Sequence, residues 1–97
     1  MKTLNSKQIS HLRGLGHALN PVVMIGDKGL SETVLREIDI SLKAHELIKI
    51  KVMSDDRALR VKMLEEICEK LGSVAVQQIG KQLVVYRRAD KPTIILP

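Results

Sequence analysis

Within residues 46–53, ELIKIKVM, apolar and basic side chains alternate over five consecutive positions from Ile48 to Val52. A strand turns successive side chains to opposite faces, so this stretch reads as β-structure. Ile48, Ile50 and Val52 then share one face and Lys49 and Lys51 the other, the pattern of a half-buried strand. One strand cannot shelter its apolar face alone. The rest of the chain must supply more strands and a layer to cover them.

The flanking segments supply both. Asn5 or Ser6 can cap a first helix with Ile9, Leu12 and Leu15 three apart on one side. Its other side carries Lys7, Ser10, His11, Gly14 and His17, a small, polar and basic stripe. Gly14 and Gly16 each cost such a helix about 1 kcal/mol relative to alanine, which implies close approach by another element or by a ligand. Asn20-Pro21 ends the helix, and VVMI at 22–25 reads as a short buried strand. Gly26 to Gly29 turn the chain, and Ser31 caps a second helix with Val34, Leu35, Ile38 and Leu42 inward. On its outer face Glu32 with Arg36, and Asp39 with Lys43, have ion-pair spacing.

Asp55 or Asp56 opens a third helix, with Leu59, Met63, Ile67 and Leu71 facing the core and Gly72 as its stop. SVAVQQI and QLVVYRR then form a hairpin through Gly80-Lys81, where glycine in first place suits a type II′ turn. TIIL near the end is either a fringe strand or a packed tail. The order α-β-α-β-α-β-β implies an α/β fold, a mixed sheet of about four strands with helices packed on it. With no repeat, linker or low-complexity segment, residues 1–97 read as one domain.

Several classes of function are disfavoured at once. No apolar run approaches the ~20 residues of a membrane span. MKTLNSKQISHL lacks the apolar core of a secretory signal, and Cys68, the one cysteine, has no internal partner. A cytoplasmic location follows as the expectation. There is no G-x-S-x-G, no H-E-x-x-H and no cysteine pair. His11, His17 and His45 lack metal-ligand spacing and read as solvated or capping residues, His17 also as a polar contact at its helix end. Glu65, Glu66 and Glu69 read as a solvated helix face, and Cys68 as a small core residue. No catalytic residue, metal, cofactor, membrane or small-molecule substrate is expected.

Charge points elsewhere. The formal net charge is +5, and no Asp or Glu occurs from Met1 to Gly26, where Lys2, Lys7 and Arg13 lie. A basic excess favours polyanions, because phosphates gain attraction and release counterions. Tyr86 is the only aromatic residue, so stacking of unpaired bases on aromatic platforms cannot be the main mode of recognition. Backbone and shape are the expected determinants.

The stretch GDKG, between a strand and a helix, offers a bare backbone and Lys28 in mid-loop. Glycines admit a phosphate backbone without an obstructing Cβ, and the helix N-terminus adds partial positive charge. The loop is neither a P-loop, whose lysine follows the second glycine, nor a three-glycine dinucleotide fingerprint. Lys49 and Lys51 face away from the expected helix layer, joined by Arg87 or by Tyr86 and Arg88 according to register. That face is either a hydrated surface or a phosphate-contacting one.

With these elements placed, three stretches carry a resemblance: LRGLGHALNPVVMIGDKGLSETV, HELIKIKV and VQQIGKQLVVYRR, in order from Leu12 to Arg88. They resemble the YhbY-type CRM family, named for chloroplast RNA splicing and ribosome maturation. The resemblance implies a fold similar to the C-terminal domain of translation initiation factor three. It also implies a small RNA-binding protein tied to assembly of the large ribosomal subunit, its partner being ribosomal RNA in precursor particles. By the same resemblance the G-x-x-G loop, here Gly26, Asp27, Lys28 and Gly29, belongs to a basic RNA-binding surface. Lys7, Arg13, His17, Lys49, Lys51, Arg87 and Arg88 complete the candidate set, with Asp27 turned away or capping the next helix. A different class of function, an adaptor whose basic face meets an acidic protein, is the alternative.

Overall fold

The computed structural model describes residues 3–97, so Lys2 lies outside the described residues. The elements are α1 (Ser6–His17), β1 (Pro21–Ile25), α2 (Glu32–His45), β2 (Leu47–Val52), α3 (Arg57–Leu71), β3 (Val74–Ile79) and β4 (Gln82–Tyr86). Local chemistry sets their ends. The Asn5 side chain accepts the Gln8 N–H at 2.8 Å while the Gln8 side chain accepts the Asn5 N–H at 3.1 Å, a reciprocal cap on α1. Ser31 caps α2 through the Val34 N–H and Asp56 caps α3 through the Leu59 N–H. Gly72 ends α3 in the left-handed region, at φ 64°.

The four strands form one sheet in the order β1-β2-β4-β3. β1 and β2 are parallel and joined across the sheet by α2; β2 with β4, and β4 with β3, are antiparallel. The β3–β4 hairpin turns at Gly80, whose φ is 54°, and Lys81. Helices α2 and α3 cover one face, where Ile38, Leu42 and Ile67 pack on Ile25, Ile48, Ile50 and Leu83.

The opposite face differs from the expectation of an open surface. It carries α1 and a second core, in which Leu12 packs with Leu47, Val76, Val84 and Tyr86. β2 is therefore covered on both sides, and Lys49 is only 9 % exposed. The inward side of α1 is also rotated from the simple three-residue spacing. Leu15 is 40 % exposed, while Gly16 is buried against β4. A Cβ on Gly16 would lie 3.1 Å from a Val84 methyl, so this glycine lets the helix settle on the sheet; around Gly14 nothing lies within 4 Å.

The TIIL segment forms no strand and packs as a tail, Ile94 and Leu96 resting on the second core. Of the ion pairs expected on α2, Asp39–Lys43 forms at 3.2 Å; Glu32 and Arg36 do not come within pairing distance. Among the described residues no helix is long and apolar enough to cross a membrane.

Candidate nucleic-acid interface

At the end of β1 the Gly29 N–H donates to the Gly26 carbonyl at 3.0 Å, closing a tight turn with Asp27 and Lys28 exposed at its tip. The two glycines differ in what the fold asks of them. Gly29 has φ +69°, a conformation that disfavours a side chain, and faces the Met63 methyl. Gly26 has ordinary φ and open space where a Cβ would stand. Nothing in the fold needs a glycine there. Asp27 does not cap α2, since Ser31 holds that position. Lys28 pairs with no carboxylate among the described residues.

Backbone hydrogen bonds gather other segments to the same end of the sheet. The Met53 N–H donates to the Ile25 carbonyl at 2.9 Å, and the Val52 N–H to the Lys81 carbonyl at 2.7 Å. Gly29 and Leu30 share a shallow groove with Lys62 and Met63 of α3. Lys62 is exposed, and sequence reasoning missed it because only the docking of α3 brings it beside the loop. Lys81 is neutralised by Asp55 at 2.7 Å, and that contact holds the Asp55 carboxyl below its ordinary range.

The other candidate residues separate into groups. Lys51, half-buried, stands beside Met24 in the strand register, one residue short of the end of β1. Lys49 lies farther down the same face, beside Val84. Lys7 and His17 are exposed on α1, with His11 between them. Arg13 spends its Nε–H on the Val76 carbonyl at 3.0 Å, tying α1 to β3. The register puts Tyr86 on the face of Lys49 and Lys51, opposite Leu47, and leaves Arg87 beyond the strand.

Arg87 is drawn inward. Its guanidinium donates to Asp39 Oδ1 at 2.8 Å, the Leu71 carbonyl at 2.9 Å and the Asp39 carbonyl at 3.1 Å. The Arg87 hydrogen bond holds the Asp39 carboxyl below its ordinary value. Arg88, next in the chain, is exposed. So Gly26, Lys28, Gly29 and Lys51 gather at the loop end, Lys7 and His17 lie on the α1 surface, and Arg87 clamps α2 and α3 to β4.

No three His, Cys, Asp or Glu side chains cluster to hold a metal among the described residues. Burial pushes the Cys68 thiol above its ordinary pKa, which makes it a weak nucleophile.

Residues 4–87 match the CRS1 / YhbY (CRM) domain. The chain belongs to that family. An RNA-binding protein of Haemophilus influenzae is 46 % identical over 97 residues, spanning 100 % of this chain and 98 % of its own length. A Pseudomonas aeruginosa protein, named as a probable RNA-binding protein, is 40 % identical over 92 % of this chain and 86 % of its own. The solution structure of a hypothetical Staphylococcus aureus protein, provisionally assigned to RNA binding, superposes with a TM-score of 0.87 at 34 % identity. That likeness covers 98 % of this chain and 100 % of the other. In this CRM domain the match stops at Arg87, yet the tail beyond it packs on the second core.

Proposed function

We propose that this CRM protein works without catalysis, binding structured ribosomal RNA in precursor large ribosomal subunits and assisting their assembly in the cytoplasm. Residues 1–97 act as one binding unit. The observation that carries the reading is the bend at Gly26–Gly29, where one glycine is not required by the fold and an unpaired Lys28 stands beside it. Such a bend admits a ribose-phosphate strand to the backbone and meets it with positive charge. Lys51 and Lys62 extend the field along the sheet and α3, Lys7, Arg13 and Arg88 extend it over α1 and the tail, and His17 adds a polar contact at the end of α1. Arg87 serves by holding the scaffold, since its donors are already engaged by Asp39 and Leu71. The RNA-binding names of the relatives support the RNA part, and the resemblance read from the sequence supports the ribosomal part.

Crosslinking in cells with sequencing of the attached RNA, alongside sedimentation with ribosomal particles, tests the proposal. Large-subunit ribosomal RNA and co-migration with precursor particles are expected. Recovery of mainly messenger or transfer RNA would overturn the assembly role and leave RNA binding intact. Association that survives nuclease would favour the protein adaptor instead.

A further inference from the structure

A groove of about 490 Å³ opens on the α1 side of the sheet, between the end of α1, the start of β1 and the tail. That volume lies within the ~300–1,000 Å³ of pockets that enclose small organic ligands. Leu15, Leu19, Val22 and Leu47 give it apolar walls, and Lys49 and His45 give it a polar edge. Val22 is 52 % exposed and Leu15 is 40 % exposed, so two large aliphatic side chains face solvent here. Lys49 is the telling residue. Most of it is buried, its ammonium stays open to solvent at the groove, and it makes no hydrogen bond or ion pair among the described residues.

We propose that this groove takes an unpaired nucleotide of the bound RNA, its base against Leu15 and Val22 and its phosphate on Lys49. The inference rests on the RNA-binding reading above and deepens it. An apolar cleft with an unpartnered cation at its edge and no carboxylate in its lining matches a ligand that is flat and apolar on one part and anionic on another. Tyr86 is 2 % exposed and cannot serve as a platform, so aliphatic walls are what the chain offers an extruded base. The groove also joins the glycine bend along one strand. Val22, the second residue of β1, lines the groove and Gly26 follows the end of the strand, four steps or ~13 Å of extended chain. One bent RNA segment can reach both.

The test compares a paired RNA stem with the same stem carrying one extra unpaired 2-aminopurine. The wild-type protein is expected to hold the bulged stem about tenfold tighter, or ~1.4 kcal/mol, and to alter the fluorophore's emission. Leu15→Ser with Val22→Ser, both at exposed positions, should erase the preference and the emission change while the paired stem binds as before. Lys49→Met, which keeps the apolar stem, should weaken the bulged stem more than the paired one. Equal wild-type affinity for the two stems, or a preference that survives the double substitution, overturns the groove assignment and leaves RNA binding standing. Failure to bind either stem overturns both. A wild-type dimer that the double substitution dissolves would give the groove to a second copy and overturn it too.

Discussion

Thr93 gives both its backbone N–H and its hydroxyl to one oxygen of the Glu46 carboxylate, at 2.6 and 2.9 Å. The Ile94 N–H reaches the same oxygen at 3.0 Å, and the Ala89 N–H reaches the other at 3.1 Å. Glu46 is 1 % exposed and holds a φ of 64°, so a strained, buried carboxylate pins the tail to the junction of α2 and β2. Burial alone would raise its pKa, but the hydrogen bonds from Thr93, Ala89 and Ile94 together outweigh burial and hold it below the ordinary glutamate value.

The sign of the pH dependence follows. A depressed carboxyl stabilises the fold fully above its unfolded pKa of ~4.3. That contribution disappears as pH falls through the lower folded value. Glu46→Gln should therefore cost about 2–4 kcal/mol at pH 7. Urea unfolding at a series of pH values should show the gap between variant and wild type closing in acid; a constant gap would contradict it.

The two loop glycines should separate folding from binding. Gly26→Val should leave the melting temperature unchanged, because the added side chain meets open space, and should lower RNA affinity several-fold. Gly29→Ala should cost roughly 1–2 kcal/mol of stability, since its φ is left-handed. Circular-dichroism melts and filter binding on the same preparations read the two effects. Undiminished RNA binding by a folded Gly26→Val protein would remove the loop from the interface.

Lys28→Gln should make the salt dependence of RNA affinity shallower by about one unit of log–log slope, the loss of about one phosphate contact. Titrations across several salt concentrations measure it, and an unchanged slope would mean that Lys28 touches no phosphate.

Arg87 and Arg88 are neighbours with opposite expectations. Arg87→Ala should cost about 2 kcal/mol, because the Leu71 and Asp39 carbonyls and Asp39 Oδ1 lose the guanidinium donors, leaving the Asp39 carboxylate with Lys43 alone. Arg88→Ala should not change stability. Thermal melts distinguish the pair, and equal effects would contradict the clamp.

Gly14→Ala should raise stability by about 0.5–1 kcal/mol, since α1 gains helix propensity and the new methyl meets nothing. Gly16→Ala gains the same propensity but presses on Val84, so it should fall short of Gly14→Ala by about 1 kcal/mol. Matched denaturation curves decide the order of the two.

These residues also show how far the sequence could be read. Ser31 and Gly72 stood out because caps and left-handed stops are local chemistry, and the alternation of 48–52 marked its strand for the same reason. The covering of the Lys49 face was hidden. Its core draws Leu12, Leu47, Val76 and Tyr86 from four elements, and no single periodicity displays such a set. Glu46 and Arg87 were opaque for a related reason, because their partners lie 47 and 48 residues away. The glycine bend was visible as a motif. That the fold requires one of its glycines and not the other became visible only in the backbone angles.

Since a side chain at position 26 would meet open space while Gly29 is held by its left-handed backbone, the bend between β1 and α2 has one exchangeable corner and one fixed one. Residues of different size or charge set at the exchangeable corner alone, with Gly29 kept, would retune grip on a nucleic acid while the melting behaviour of the frame serves as an unmoved reference.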